Sequence, residues 1–520
     1  MTHSLLDDPL FRVRLPDGTV TGQTLPQILQ TLRQDNVLSF EALQSHQQQP
    51  WHSFLTQLAA MAVARECSGT RPTDAAGWRE ALVALADGDE AAWHLVVADG
   101  SRPAFLQPPV PEGSLEEAGY EADVPSPDQL DVLITSKNHD VKARRIARPR
   151  PEHWIYALLT LQTMEGFLGR GNYGIVRMNG GFGNRPMVGL APELEWGDRF
   201  RRDLTVLLDA RDGFDDMYDR QGHALLWTLP WDGAKDSGLP LESLDPYFLE
   251  VCRRVRFTDE DGTLTCWRTN TKGQRVAAPD SLNGRTGDPW TPVDKNEGKA
   301  LTVGASGFHY QRLQEIFLSG DYERPPALEF HDTDDGRAYL IARTLVRGQG
   351  KTDGLHHRIV PVPERASSWL TDDTRRERLA NRARARVETA GEVRRRVLYP
   401  AVGTLLGGGD TDAIEADDVA PWLDAFDRAV DAAFFEELWA SVKLEQEEAR
   451  RRWQSFLWDE VQAQFADAEH HAPTAATRYW RARSSARSVL HGSARSVLPE
   501  AFAASSEDTT SDPHDSTVST

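Results

Sequence analysis

The sequence contains few cysteines and no long run of apolar residues. Its three cysteines, Cys67, Cys252 and Cys266, are too few for a disulfide framework, and the lack of a CxxC pair argues against a cysteine-rich zinc site. No stretch approaches the roughly 18 apolar residues of a transmembrane helix, and the N-terminus lacks the basic-then-apolar order of a signal peptide. We therefore expect a cytoplasmic protein, since thiols stay reduced in that compartment.

Positive charge is scarce overall but concentrated locally. The 520 residues include 58 Lys and Arg against 79 Asp and Glu, a net charge of −21, which argues against a protein that coats DNA through its total charge. Between positions 137 and 185, however, nine basic residues face three acidic ones, and several glycines lie among them. Because phosphate contact is local, this segment is the first candidate for contact with nucleic acid.

Signatures of catalysis are absent. The sequence has no HExxH motif, no GxSxG spacing around Ser306 and no paired carboxylates that stand out from its general acidity. His356 and His357 are adjacent, so on a strand their side chains point to opposite faces rather than to one metal. We predict no enzymatic activity, no metal and no cofactor. The alternative is an enzyme whose active-site residues come together only in the folded chain.

Two glycine motifs resemble nucleotide-binding loops but lack the required context. Residues 169–174 spell GxGxxG, yet a predicted helix from Trp154 to Phe167 precedes them where a dinucleotide site needs a strand. Gly350-Lys351-Thr352 ends like a P-loop, but Leu345 stands where the first glycine is required. The first motif is then a loop packed on itself or a backbone platform against nucleic acid. The second is a connecting loop or a polar finger that enters a groove.

The hydrophobic pattern predicts an α+β fold: a large mixed α/β N-terminal domain followed by a C-terminal four-helix bundle. In the first part we predict a strand at 11–15, helices at 25–32 and from Trp51, a loop at 107–129, a hairpin of strands 327–331 and 338–346, and a loop at 347–354. The predicted domains are residues 1–366, the bundle at 367–498, and a disordered, acidic, Ser/Thr-rich tail at 499–520.

The bundle is predicted from apolar positions at helical spacing. Two such stripes are Trp422, Phe426, Val430 and Phe434, and Trp453, Leu457, Val461 and Phe465. An arginine-rich helix from Arg375 to Tyr399 is expected to end at Pro400. Its nine arginines form either a solvated face or a phosphate contact.

Five short motifs occur in one order along the chain. They are Ser4-Leu5-Leu6 with Phe11-Arg12-Val13, His46-Gln47 before Trp51-His52-Ser53-Phe54-Leu55, Phe105-Leu106-Gln107, Gly171-Asn172-Tyr173-Gly174 with Asn179-Gly180-Gly181-Phe182-Gly183, and Arg347-Gly348-Gln349-Gly350-Lys351-Thr352. Followed by a helical bundle, they resemble the N-terminal strand, first long helix, F-x-Q motif, glycine loop and wedge of the CasA family, the large subunit of the type I-E Cascade complex of CRISPR immunity. The resemblance spans most of residues 4–495.

The resemblance implies a DNA-recognition subunit that is not an enzyme. Family members read the protospacer-adjacent motif (PAM) of double-stranded DNA through the minor groove, help to open the duplex for pairing with the guide RNA (R-loop formation), and recruit a helicase-nuclease. By resemblance the glycine loop is Gly171, Asn172, Tyr173 and Gly174, and the wedge is Gln349, Gly350, Lys351 and Thr352. The implied partners are the other Cascade subunits, the guide crRNA, double-stranded target DNA and the helicase-nuclease, with no membrane.

Further contacts with nucleic acid are predicted from the basic segment and by resemblance. The candidates are Lys137, Asn138, His139, Lys142, Arg144, Arg145, Arg170, Arg177 and Arg285. In the family, the loop before the glycine region touches the 5′ end of the guide RNA, and residues 138–142 fall near that place. For the family's minor-groove lysine the candidates are Lys272, Arg275 and Arg285. The cysteine cluster of some relatives is missing, so we expect no zinc.

A protein-interaction adaptor is the alternative function. In that case the acidic helical bundle docks partner proteins, and the glycine segment is only structural. The adaptor hypothesis predicts that neutralising Arg170 and Arg177 leaves the affinity for DNA unchanged.

Overall fold

The computed structural model confirms a mixed α/β fold with a helical C-terminal region. It describes residues 2–133, 145–178, 185–214, 216–331, 334, 336–348, 351–410, 415–471 and 478–503. The chain divides into two compact units, residues 1–308 with 320–364 and residues 309–319 with 365–520. The second unit therefore includes a short segment from the middle of the chain. Within the described ranges, no helix combines the length and apolar character needed to cross a membrane.

The first unit contains small sheets of two or three strands. The strands are β1 (Phe11–Arg14), β2 (Val20–Gln23), β3 (Ser39–Phe40), β4 (Glu121–Val124), β5 (Met187–Ala191), β6 (His223–Leu225), β7 (Leu239–Pro240), β8 (Leu244–Leu249), β9 (Arg254–Glu260), β10 (Thr263–Thr269), β11 (Val276–Ala277), β12 (Val293–Asp294), β13 (Lys299–Ala300), β14 (Tyr322–Glu323), β15 (Ala338–Gly348) and β16 (Lys351–Val362). The antiparallel sheets have the orders β2-β1-β3, β4-β10-β9, β13-β12-β14 and β16-β15-β5. Two further pairs, β11-β7 and β6-β8, are parallel.

The helices of the first unit surround a core rich in tryptophan. They are α1 (Leu25–Arg33), α2 (Gln48–Glu66), α3 (Ala75–Leu85), α4 (Pro127–Leu130), α5 (Pro151–Met164) and α6 (Trp196–Ala210). Thr24 and Gln27 form a capping box that fixes the start of α1. Helix α2 is buried on every side, and two of its polar side chains have partners inside the protein: His52 lies 2.9 Å from Asp203, and Gln57 donates to the carbonyl of Tyr247.

The predicted hairpin of residues 327–331 with 338–346 is wrong in its pairing. Strand β15 pairs instead with β16, from Ala338 opposite Val362 to Gly348 opposite Lys351, and its other edge pairs with β5. Residues 326–328 form a 3-10 turn, and most of the predicted loop at 347–354 is strand. The side chains of β16 are largely polar and give no strong strand signal. Its conformation is decided by main-chain hydrogen bonds to the apolar β15.

The predicted loop at 107–129 also contains regular structure. Strand β4 pairs with β10, with Val124 opposite Cys266, and α4 follows with Pro127 in its first turn. The proline- and glycine-rich composition indicated irregular structure, but a strand edge and the buried side chain of Val124 stabilise this short segment.

The second unit is helical. Its helices are α7 (Tyr310–Phe317), α8 (Glu364–Leu370), α9 (Asp373–Val393), α10 (Tyr399–Leu406), α11 (Ala416–Ala440), α12 (Gln446–His471), α13 (Tyr479–Val497) and α14 (Pro499–Ala503). Pro400 does not end the arginine-rich helix as predicted. A π-helical turn, Arg394–Leu398, joins α9 to α10, and Pro400 lies in the first turn of α10. The wider π turn accommodates a residue that has no N–H and crowds the preceding turn.

The predicted apolar stripes form the core of this unit. Phe426, Val430 and Phe434 of α11 are buried, and so are the four predicted residues of α12; Trp422 is only half-buried. The first five residues of the predicted disordered tail are ordered in a helix. Residues 499–503 form α14, in which Phe502 packs 5.2 Å from the ring of Trp458 and Glu500 pairs with Arg450. Residues 504–520 lie outside the described part of the chain.

Candidate nucleic-acid interface

The turn that follows α5 depends on glycine. The N–H of Asn172 donates to the carbonyl of Gly169, and the N–H of Leu168 donates to the carbonyl of Asn172, both at 3.0 Å. Gly169 has φ +118° and Gly171 has φ +91°, in the region that favours glycine. The predicted helix before this GxGxxG run is confirmed, so the run lacks the strand that precedes such a motif in a dinucleotide site.

Gly174 lies against the start of the same turn. A Cβ at position 174 would lie 2.4 Å from the carbonyl carbon of Gly166 and 2.6 Å from the nitrogen of Phe167. Both are backbone atoms, which cannot rotate away as a side chain can. Only glycine fits at position 174 without a displacement of the turn.

We expect Gly174→Ala to destabilise the turn by roughly 1–3 kcal/mol, because an added methyl group overpacks the contact. Hydrogen–deuterium exchange of peptides covering residues 165–176 measures this effect. The matched control is Gly213→Ala, since position 213 has a negative φ and open space around its Cβ. Equal exchange in Gly174→Ala and the wild type would contradict the tight contact.

Buried charged side chains stabilise the turn. Arg253 donates to the carbonyl of Tyr173 and, at 3.2 Å, to that of Gly166, and its guanidinium lies 3.6 Å from Glu165. The Glu165 carboxylate also accepts a hydrogen bond from Arg347, near the end of β15. Burial lowers the pKa of Arg347 to about 10, so this side chain is still charged at neutral pH. Glu165 therefore joins the glycine loop to the β15–β16 hairpin.

The hairpin tip reaches a second predicted segment. Gly348 is paired with Lys351, and the predicted wedge residues Gln349 and Gly350 lie outside the described residues. The exposed Lys351 forms an ion pair of 2.8 Å with Asp353. Thr352 donates its hydroxyl to the carbonyl of Leu133, at 3.2 Å. Residue 133 is the last one described before 134–144, the range that holds the candidates Lys137, Asn138, His139, Lys142 and Arg144.

Lys272 lies on a loop that touches the glycine loop. The N–H of the neighbouring Thr271 donates to the carbonyl of Gly171 at 3.1 Å, and a Cβ on Gly171 would lie 3.0 Å from the amide carbon of Asn270. The side chain of Lys272 is exposed. Among the three candidates for a minor-groove cation, only Lys272 adjoins this site.

The other two candidates are placed elsewhere. Arg275 is buried, and its guanidinium donates to the carbonyls of Leu226, Leu229 and Pro230. Arg285 is exposed but donates to carbonyls of its own turn, and it lines a different cavity. All three candidates are cations in the sequence, and only the fold shows which of them lies beside the glycine loop.

A polar cleft of about 460 Å³ lies between these segments. The glycine loop, the Asn270 loop and the hairpin contribute Leu168, Asn172, Asn270 and Arg347 to its lining. Three further arginines, Arg253, Arg254 and Arg268, and the acids Glu121, Asp131 and Glu165 complete the charged part of the wall. Burial alone would raise the pKa of Asp131, but the nearby His46 and the hydrogen bonds that this carboxylate accepts lower it overall. Asp131 therefore remains ionised.

Two of the predicted basic residues are core residues rather than surface contacts. Arg177 is buried, with its guanidinium 4.1 Å from the ring centre of Phe248. Arg185 is buried in an ion pair of 2.5 Å with Asp288. The nucleic-acid contact of Arg177 stays a prediction, but in this structure its guanidinium lies inside the protein and donates to the carbonyl of Phe248.

The remaining candidates near the loop are accessible. Arg145 and Arg170 are exposed. Among the glycine-loop residues, Asn172 and Tyr173 are half-buried, and the ring of Tyr173 lies 5.8 Å from that of the partly exposed Phe167. The loop therefore presents an aromatic pair beside an exposed cation.

Comparisons with known proteins bear on the fold. No protein-family model and no curated protein matches the sequence. Solved structures do match: Cse1 of Thermobifida fusca has a TM-score of 0.66 at 16% identity, with 96% of this chain and 99% of that chain covered. The chain has the CasA fold. CasA (Cse1) of Thermus thermophilus has a TM-score of 0.64 at 16% identity and Cse1 of Acidimicrobium ferrooxidans 0.58 at 14%, each covering 96% of this chain and 99% of that chain.

Within this CasA fold, sequence reasoning missed the residues that hold the site together. Glu165, Arg253 and Asn270 stood in no motif. For Arg253 the sequence did contain an indication. This residue lies in the run Tyr247–Phe257, where charged residues interrupt an otherwise apolar stretch. Charges at buried positions need partners, so such interruptions indicate internal ion pairs.

Proposed function

We propose that this chain is the large subunit of a type I-E Cascade-like complex and that it reads the PAM of double-stranded DNA through the minor groove. The observation that carries the proposal is that the glycine loop, the end of strand β15 at Arg347 and the loop that precedes Lys272 line one polar cleft. The CasA fold supports the assignment to that subunit. Recognition rather than catalysis is the proposed role, and strand cleavage belongs to the recruited helicase-nuclease.

The glycine loop suits the minor groove for a steric reason. That groove is only about 6 Å wide, so a backbone without Cβ atoms enters where ordinary side chains do not. Gly169 provides such a backbone, since nothing lies within 4 Å of the place a Cβ would take, whereas Gly171 is buried against Asn270. The buried Glu165–Arg253 pair keeps the turn in place. A loop fixed before binding loses little entropy when it meets DNA.

Lys272 and the hairpin tip supply the polar contacts. An exposed ammonium beside the loop can donate to the acceptors that every base pair displays in the minor groove. Gln349 and Lys351 at the hairpin end would then separate the first base pairs. Unstacking costs roughly a few kcal/mol per step. Guide-RNA pairing and phosphate contacts must offset that cost.

The proposed contacts of Gln349, Lys351 and Lys272 have a direct test. We expect Gln349→Ala with Lys351→Ala, and separately Lys272→Ala, to weaken binding of a matched duplex by roughly tenfold, as loss of a charge-assisted contact does. Assembly of the chain into the guide–protein complex should be unchanged. The assay uses the reconstituted complex and a duplex library with a randomised flank, at one stated salt concentration, with bound DNA sequenced.

Lys295→Ala is the matched control, since Lys295 is an exposed lysine between β12 and β13 that donates to the carbonyl of Gly320 and is not on the loop that contacts Gly171. Enrichment of a two- or three-base flank that depends on Lys272 and the hairpin supports the proposal. Equal loss of assembly and DNA binding in the variants would contradict it. Binding without any flank preference would favour the adaptor alternative.

A further inference from the structure

A second charged cavity lies within the helical unit, between α9 and α12. It has a volume of about 320 Å³, which is the size of a small-ligand site. Arg378, Arg382 and Arg386 line it from one face of α9 at intervals of four residues, and Arg450 of α12 lines it from the other side. Asn381, Thr389 and Gln446 add neutral polar groups.

Arg386 is the key residue of this cavity because it is buried without full compensation. Only 3% of the residue is exposed, and its Nη1 has no hydrogen-bond partner among the described residues. Its other terminal nitrogen makes a long contact of 3.4 Å with the carbonyl of Ala449, and the guanidinium lies 5.0 Å from the ring centre of Trp453. Burial lowers its pKa to about 9, so it is still a cation at neutral pH.

Nearby carboxylates do not neutralise Arg386. Glu437, the acid that acts on it most, is already paired with Arg452 at 2.7 Å. Glu500 pairs with Arg450 at 2.6 Å. Arg382 donates to the carbonyls of Ser441 and Leu444, which are uncharged, so the arginines of α9 keep an excess of positive charge.

We infer that this cavity binds a terminal phosphate group of a small phosphorylated ligand, with Arg386 as its innermost donor. The forked geometry of guanidinium groups matches phosphate oxygens. The first turn of α12, which ends at Ala449, adds the positive end of a helix dipole. This inference does not rest on the proposed function in DNA recognition.

A small ligand fits better than a nucleic-acid chain. The deepest donor is buried, so the phosphate must enter the cavity, whereas a backbone phosphodiester stays on a surface. Glu447 and Glu448, exposed in the first turn of α12, would repel an extended polyanion that runs along this helix end. A compact ligand with one terminal phosphate avoids most of that repulsion.

Isothermal titration calorimetry of the full chain with inorganic phosphate and with pyrophosphate tests the inference, without guide RNA or DNA. We expect Arg386→Gln to weaken pyrophosphate binding by about tenfold or more, as loss of a buried charged donor does. Arg378→Gln removes an exposed wall residue, so it keeps the fold intact, and should weaken binding several-fold. Arg384→Gln is the control: it makes the same charge change on α9 but is exposed and does not line the cavity.

The titrations of the three variants distinguish a phosphate site from the alternatives. Binding that falls in Arg386→Gln and Arg378→Gln but not in Arg384→Gln supports the site. No binding of either anion at millimolar concentration, or equal affinity in all three variants, overturns it. Arg386-dependent binding of a single-stranded oligonucleotide that pyrophosphate does not displace would also overturn it, because the ligand would then be nucleic acid.

Discussion

Replacing Asp288 by alanine is expected to cost about 3–5 kcal/mol, because it leaves Arg185 as an uncompensated charge inside the protein. The two side chains form an ion pair in which each is only 2% exposed, and Asp288 also accepts the N–H of Trp290 at 2.9 Å. Arg185 in turn anchors the chain that leaves the glycine segment, since its N–H donates to the carbonyl of Met164. Loss of the pair should therefore loosen the support of the glycine loop as well.

Hydrogen–deuterium exchange of peptides covering 185–191, together with the denaturation midpoint, measures this prediction. Adding Arg185→Met to Asp288→Ala should restore part of the stability, because the double variant leaves no unpaired charge. The control is Asp212→Ala, since the Asp212–Arg220 pair is exposed and pairs of that kind contribute about 0–1 kcal/mol. A loss in Asp288→Ala no larger than in the control would contradict the structure.

The second prediction with a large expected effect on stability concerns Glu250, which contacts the chain at Val176, just after the glycine loop. One of its oxygens accepts the N–H of Val176 at 2.8 Å, and the other has no hydrogen-bond partner among the described residues. Burial raises the pKa of Glu250 to about 7, although the hydrogen bond from Val176 and the charges of Arg177 and Arg185 oppose the rise. The folded chain therefore keeps a proton that the unfolded chain releases near the ordinary pKa of 4.5.

The sign of the pH dependence follows from that proton. Stability contributed by Glu250 falls as the pH rises from about 4.5 to 7 and is level above, with a total loss of about 3 kcal/mol. We expect Glu250→Gln to be more stable than the wild type at pH 8 and nearly equal to it at pH 5, because an amide keeps the acceptor for Val176 and carries no charge.

Denaturation midpoints at pH 5 and pH 8 measure the effect of Glu250→Gln. Glu242→Gln is the control, because it is the same substitution at an exposed position. Its effect on the denaturation midpoint should be the same at both pH values. If Glu250→Gln lowered stability equally at both pH values, the carboxylate would be ionised and paired with the arginines instead.

Local pattern predicted the parts of this fold whose side chains carry a periodic signal. The helices at Leu25 and Trp51, the helix before the GxGxxG run and the stripes of α11 and α12 all follow from apolar spacing. Strand β16 could not be predicted in this way, because its side chains are mostly polar and its strand conformation depends on pairing with β15. A pairing between distant strands is a tertiary choice that no local window contains.

The candidate site divides in the same way. Composition by itself determined that the chain is poor in cysteine, acidic overall and carries a basic, glycine-rich segment. The structure added the reason for two of those glycines: Gly171 has a positive φ, and a Cβ at position 174 would meet backbone atoms. Only the tertiary structure decided which cations are available. Arg177, Arg185 and Arg275 meet aromatic rings, an aspartate and carbonyls inside the protein, whereas Lys272 is exposed beside Gly171. The physical reason is that a charge in sequence becomes a binding group or a structural one according to the partners that folding brings to it, and those partners lie up to about a hundred residues away in the chain.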